Sequence, residues 1–271
     1  MTELYLVADP TKNLTLIVTS PVPEERRAEC ARRLMELEPQ CEQAGFLTVP
    51  PEGCQIALQM AGGEFCGNAA MSAAAIYAQN IGIKPRAKVT VRVAVSGAPE
   101  PVTAVVSRAG QRRFHASVSM PLPERMCRLP VSIGSRCFDA PAAVFPGITH
   151  ILLPGDTGRE EAQRAIAAVC SFTGAPALGF MLLDERNLRL RPLVYVPGSD
   201  TLFWEHSCAS GTAAVGALLA SARGIPLELT LREPGGKLRV DADYASGRLR
   251  SLTLHGSVAL GEVREAPAGL L

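Results

Sequence analysis

Residues 66–78 read Cys-Gly-Asn-Ala-Ala-Met-Ser-Ala-Ala-Ala-Ile-Tyr-Ala, and residues 208–220 read Cys-Ala-Ser-Gly-Thr-Ala-Ala-Val-Gly-Ala-Leu-Leu-Ala. Each stretch is a cysteine, then small and polar residues, then an alanine-rich run that favours helix. The two cysteines stand 142 positions apart (208 − 66) in a chain of 271 residues, close to half its length. A pattern repeated at that interval predicts a duplication, with two similar halves related by a pseudo-twofold axis.

The segments around these two stretches repeat in the same order. In the first half, alternating apolar runs at 14–19, 46–49, 56–60, 89–95, 102–107 and 114–118 predict strands. Helices are predicted at 23–37, opened by a proline, and from just after Cys66 through 79. In the second half, strands are predicted near 143–153 and at 178–183, 188–196, 227–231, 238–240 and 249–254, around helices 159–172 and 210–222. Prolines at 121, 123 and 130 mark the break between the halves. The expected fold class is therefore α/β (α+β). Its expected domains are 1–125, carrying Cys66, and 126–271, carrying Cys208, with an active site in the cleft between them.

Composition narrows the function. Hydrophobic residues make up 47% and charged residues 20%, which excludes a disordered or fibrous chain. The 27 basic and 26 acidic side chains nearly cancel, so the basic footprint of a nucleic-acid or anionic-membrane binder is missing. No apolar run approaches the length of a membrane span. The start, MTELYLVADP, lacks the pattern of a signal peptide, so the expected location is cytoplasmic and the thiols are expected to be reduced. The expected partner is a small molecule.

None of the eight cysteines forms a Cys-x-x-Cys pair, the four histidines show no metal-ligand spacing, and neither a Walker A nor a GxGxxG pattern occurs. No metal or nucleotide is expected. Only four of the basic residues are lysines (Lys12, Lys84, Lys88 and Lys237), which leaves few candidates for a Schiff base. Cys30, Cys41, Cys54, Cys127, Cys137 and Cys170 are read as packing residues, and the histidines as structural, with His206 set apart by its place two residues before Cys208.

Cys66 and Cys208 differ from the other six in that each precedes a helix. Unpaired N–H groups and the helix dipole there stabilise a thiolate, so both thiols are expected to have lowered pKa values. If both helix starts face one substrate, the two thiols can serve the two faces of one carbon. One then removes the α-proton of an amino acid while the other returns a proton from the opposite side. First-turn N–H groups would hold the α-carboxylate and the charge that spreads into it. No cofactor is needed for such a racemisation.

The sequence resembles the diaminopimelate epimerase-like superfamily of cofactor-independent racemases and epimerases. The resemblance rests on Cys66-Gly67-Asn68 and on Cys208-Ala209-Ser210-Gly211, which match the superfamily's two cysteine motifs with alanine in place of one glycine. It implies two pseudo-symmetric halves, each a bent, mostly antiparallel sheet around a central helix. Diaminopimelate epimerase itself is an alternative, but its distal-recognition motifs are absent, with Gln-Met-Ala-Gly-Gly-Glu at 59–64 and Glu205-His206 close before Cys208.

The chain is more similar to the histidine racemases of staphylopine-type opine metallophore pathways. The shared motifs are Cys-Glu-Gln-Ala-Gly-Phe at 41–46, Glu-Phe-Cys-Gly-Asn-Ala at 64–69, Met-Leu-Leu-Asp-Glu at 181–185, Pro-Leu-Val-Tyr-Val-Pro at 192–197, Trp-Glu-His-Ser-Cys-Ala-Ser-Gly-Thr-Ala at 204–213 and Pro-Gly-Gly-Lys at 234–237. That resemblance implies interconversion of L- and D-histidine, with Cys66 and Cys208 as acid and base. It implies substrate contacts from the amides at Gly67, Asn68, Ala209 and Ser210, and from Asn13. Glu42 and Glu205 are further candidates, as acceptors for an ammonium or imidazole N–H. A homodimer is the oligomeric expectation. Two other readings stand beside it: an isomerase similar to that of the phenazine pathway, whose Glu-Thr-x-Phe glutamate corresponds to Glu42, and a non-enzymatic thiol or metal-binding protein.

Overall fold

The computed structural model describes residues 3–199 and 201–267. In chain order the elements are β1 (Leu4–Pro10), β2 (Thr15–Val18), α1 (Glu24–Leu37), β3 (Gln43–Thr48), β4 (Ile56–Met60), α2 (Gly67–Asn80), β5 (Lys88–Val95), β6 (Val102–Arg108) and β7 (Arg113–Met120). There follow β8 (Arg125–Ile133), β9 (Arg136–Phe145), β10 (Ile148–Pro154), α3 (Arg159–Thr173), β11 (Leu178–Asp184), β12 (Arg189–Val196), β13 (Thr201–Trp204), α4 (Ala209–Arg223), β14 (Leu227–Glu233), β15 (Gly236–Ala245), β16 (Arg248–Leu260) and β17 (Arg264–Glu265).

The chain divides into two compact units, Met1–Ser119 with His255–Leu271, and Met120–Leu254. This corrects the expected boundary at 125/126. The first unit is discontinuous, because β16 starts in the second unit and its last residues pair with β1 from Ala8↔Leu260 to Pro10↔Val258. Nothing in the alternation of 248–260 signals that change of allegiance along one continuous strand.

In the first unit, β1–β2 and β3–β4 pair antiparallel, β2–β3 and β4–β5 parallel, and β5–β6–β7 antiparallel again. β16 bridges β7 and β1, so eight strands close on themselves and leave no open edge. The second unit repeats the alternation: β9–β10 antiparallel, β10–β11 parallel, β11–β12 antiparallel, β12–β14 parallel and β14–β15 antiparallel. A repeated order of parallel and antiparallel pairs is a topological duplication, independent of any sequence identity.

Each unit has one outer and one inner helix. α1 and α3 are amphipathic: α1 buries Cys30, Ala31 and Leu34, and α3 buries Ala162, Ile166 and Cys170, positions three to four residues apart on one face. Both carry two glutamates in the first turn, where the dipole favours negative charge. α2 and α4 differ, with 11 of 14 and 11 of 15 residues buried, including all faces of the helix. α2 packs on β1, β4, β5 and β6, and α4 on β9, β10, β11, β14 and β15. Alanine and glycine let strands close around a helix backbone that leucine would hold off.

Several expected elements shift. The strand expected near 143–153 is a hairpin of β9 and β10 turning at Gly147, whose φ of 83° suits glycine. β1 was not expected, because apolar residues occupy its buried positions 5, 6, 8 and 10 and also the less buried Leu4 and Val7, which hides the alternation. β8 includes Pro130, which sits in a poorly buried part of the strand, and so the proline-rich segment is only partly a linker.

Candidate active site

Cys66 and Cys208 cap α2 and α4. Both N-cap residues have extended backbone, φ −126° and ψ 111° at Cys66, φ −122° and ψ 105° at Cys208. In each case Sγ takes the place of a serine or aspartate oxygen, accepting the N–H three residues on: from Ala69 at 3.4 Å and from Gly211 at 3.3 Å. The same local geometry therefore appears once per unit. A side chain at 211 would crowd it, since a Cβ there would lie 2.2 Å from Met181 Sδ and 3.1 Å from Cys208 Sγ.

Around Cys66, the first unit gathers the predicted polar residues. Asn13, 3% exposed, donates from Nδ2 to Glu42 Oε2 at 2.5 Å. Its Oδ1 accepts from Gln43 Nε2 at 2.7 Å and from Asn68 Nδ2 at 3.0 Å. Gln43 also donates to Thr15 Oγ1, and Ser72 Oγ donates to the Asn68 carbonyl one turn into α2. Asn13 is thus the junction tying Glu42 to the first turn of α2, where Gly67 and Asn68 are buried. Gln43 was missed in the sequence; only its adjacency to Glu42 could have marked it.

Around Cys208, the second unit is more enclosed. The thiol is buried, and burial, then Glu205 and Glu233, push its pKa well above the usual thiol value, against the lowering effect of the Gly211 N–H. The expectation that a helix start lowers this thiol is corrected: desolvation and two carboxylates outweigh the dipole. Glu205 stands where predicted, beside the thiol. Ala209 is buried in the first turn, and Ser210 Oγ lies 3.7 Å from Sγ.

Behind Ser210 is His150, which the sequence reading left as structural. It is fully buried, with Nε2 2.9 Å from Ser210 Oγ, and burial drives its pKa down to about 3. Nδ1 has no hydrogen-bond partner among the described residues. An unpartnered lone pair costs less than an unpartnered N–H, which places the proton on Nε2, donating to Ser210 and leaving the serine hydroxyl free to donate to sulfur. Gly179, the neighbour of His150 in the parallel β10–β11 register, leaves room for the imidazole: a Cβ there would lie 2.2 Å from Nδ1.

The remaining cysteines divide. Cys30, Cys41 and Cys170 are buried, and burial raises all three thiols, the first two to about 11. Cys54 and Cys127 are half-buried and Cys137 is exposed, so packing does not describe Cys137. Among the described residues Cys30, Cys41, Cys54, Cys127, Cys137, Cys170 and Cys208 are free thiols. Among the described residues no cluster of three or more His, Cys, Asp or Glu could hold a metal ion, and no helix is long and apolar enough to cross a membrane.

Comparison with known proteins gives the family of the chain. A histidine racemase from Staphylococcus aureus is 29% identical over 240 residues, covering 86% of this chain and 85% of its own. One from Fusobacterium nucleatum is 25% identical over 269 residues, covering 95% and 97%. The crystal structure of a probable proline racemase from Agrobacterium radiobacter K84 superposes with a TM-score of 0.68 at 15% identity, over 98% of this chain and 94% of that one, a likeness of fold. The family profile described as the histidine racemase CntK N-terminal domain matches residues 4–263, and on that match the chain belongs to the histidine racemase family.

Proposed function

We propose that the protein is a histidine racemase that works without pyridoxal phosphate, using Cys66 and Cys208 as the two proton carriers. The observation that carries this reading is the matched pair of N-cap cysteines, one at the start of the encased helix of each unit. The thiolate of one cysteine removes the α-proton of the substrate, and the electron pair moves into the carboxylate. The thiol of the other then delivers its proton to the opposite face, and the two sulfurs have exchanged protonation states. The raised Cys208 thiol makes it the resting acid.

Within this reading, first-turn N–H groups at Gly67, Asn68, Ala209 and Ser210 hold the α-carboxylate and the negative charge that develops on it. Glu42, held by Asn13, and Glu205 accept hydrogen bonds from the ammonium or the imidazole. The two units correspond to the two halves of a diaminopimelate epimerase-like fold, each supplying one of the two thiols. D-histidine for an opine-type metallophore is the product use implied by resemblance. A cytoplasmic location belongs to the same reading, supported by the free thiols at Cys30, Cys41, Cys54, Cys127, Cys137, Cys170 and Cys208. A homodimer is the assembly to check, by light scattering.

The test is a chiral assay over the L-amino acids and diaminopimelate without added cofactor, in D₂O. Histidine should racemise fastest and its product should carry α-deuterium. Cys66→Ser and Cys208→Ser should each abolish net racemisation; either one retaining a near wild-type rate refutes the two-thiol scheme.

A further inference from the structure

β14 alternates inward at Leu229, Leu231 and Glu233, so a carboxylate occupies the third position of an apolar register. A carboxyl there is costly unless it is bonded, and both oxygens of Glu233 are. Oε2 accepts the Cys208 N–H at 2.7 Å, and Oε1 accepts the hydroxyl of Thr212, itself fully buried in the first turn and a half of α4. The turn that follows adds a third bond, from Gly235 N–H to the His206 carbonyl at 2.7 Å. One hairpin end thus grips residues 206, 208 and 212, on both sides of the capping cysteine.

We infer that the β14–β15 hairpin end is a brace for Cys208, and that Glu233 is a positioning residue which holds the cysteine backbone, and through it the sulfur, in register for proton transfer. Without that acceptor the Cys208 N–H would be buried and orphaned, and the loop before α4 would relax outward to find water. Sγ would move with the backbone, because its own contact with Gly211 N–H depends on the extended φ and ψ of Cys208. Burial raises Glu233 to about 8, so near neutral pH the carboxyl is mostly protonated, with Oε2 still accepting from the Cys208 N–H. The groups facing the pair are Glu205 on the thiol side and Ser210, with neutral His150 behind it.

This inference rests on the proposed role of Cys208, so its test has a readout independent of turnover. Glu233→Gln keeps an oxygen for the Cys208 N–H; Glu233→Leu fills the same space without one. At pH 7, Glu233→Leu should lose about tenfold or more in kcat with KM within about twofold, while Glu233→Gln stays within about threefold of wild type. Iodoacetamide labelling of Cys208, followed by peptide mass spectrometry, should speed up about tenfold in Glu233→Leu and stay unchanged in Glu233→Gln, as the loop opens only in the first. Should Glu233→Leu not fold, Thr212→Val removes the other anchor of the carboxyl and should raise labelling in the same direction. Wild-type labelling and kcat in Glu233→Leu, or in Thr212→Val where that is the variant tested, overturns the brace, as does a Gln variant as impaired as the Leu variant. If Cys208→Ser remains an active racemase, the role of Cys208 fails, while the labelling experiment still decides the brace.

Discussion

Two buried groups in the second unit predict an unusual dependence of stability on pH. Burial pushes His150 down from 6.5 to about 3 and Glu233 up from 4.5 to about 8. The unfolded chain protonates His150 below pH 6.5 and the folded chain does not until about pH 3, so this group's stability contribution is present above 6.5 and lost as pH falls through that window. Folded Glu233 keeps a proton that the unfolded chain releases at 4.5, so its contribution is present below 4.5 and lost as pH rises to about 8. Each slope is about 1.4 kcal/mol per pH unit, and over either full window the change is on the order of 5 kcal/mol. Between pH 4.5 and 6.5 the slopes cancel, leaving a plateau that falls by about 2 kcal/mol on each side, toward pH 3 and toward pH 8. Urea unfolding at half-unit intervals reads this directly. Relative to wild type, Glu233→Gln should remove the fall above 6.5, and His150→Gln should replace the plateau with a continuous decline from 4.5 to 8. A Glu233→Gln curve that parallels wild type from pH 6.5 to 8 refutes the reasoning, since other titrating groups cancel in the difference.

Two further outcomes follow from the hydrogen-bond geometry. Asn13→Ala removes the acceptor shared by the buried Asn68 amide and Gln43 and the donor to Glu42, at a cost of about 2–4 kcal/mol. It should lower the melting temperature by about 5–10 °C and reduce kcat/KM; a shift within 1 °C of wild type counts against Asn13 as the junction. Gly179→Ala forces the His150 ring off Ser210 and should cut kcat by about tenfold with little change in KM, so a variant with wild-type kcat would show that the His150–Ser210 contact does not serve the reaction.

The paired cysteines were legible because they sit at helix starts whose small residues repeat along the sequence. Their meaning as N-caps could be read locally, since an N-cap bond spans three residues. The lowered thiol expected at Cys208 was wrong for a non-local reason: Glu233 arrives from a strand 25 residues on, and burial is a property of the closed unit. His150 and Gln43 escaped for the same cause, as their partners lie 60 and 30 residues away and no spacing rule links them. Strands with clean alternation, such as β6 and β7, were located within a residue or two. The domain boundary was misplaced at its far end, because a continuous strand carries no punctuation where it passes from one unit to the other.

That strand also dictates an order of assembly. Seven of the eight ring strands of the first unit, β1 to β7, have been made by Met120, where the second unit begins, yet the eighth comes from residues beyond 254. During synthesis β1 and β7 therefore wait with unpaired backbone edges while the whole second unit, Met120–Leu254, is made. The unit encoded second is the first that can finish folding, and the unit encoded first stays exposed to edge-to-edge association until residues 255–260 have been made and have paired with β1.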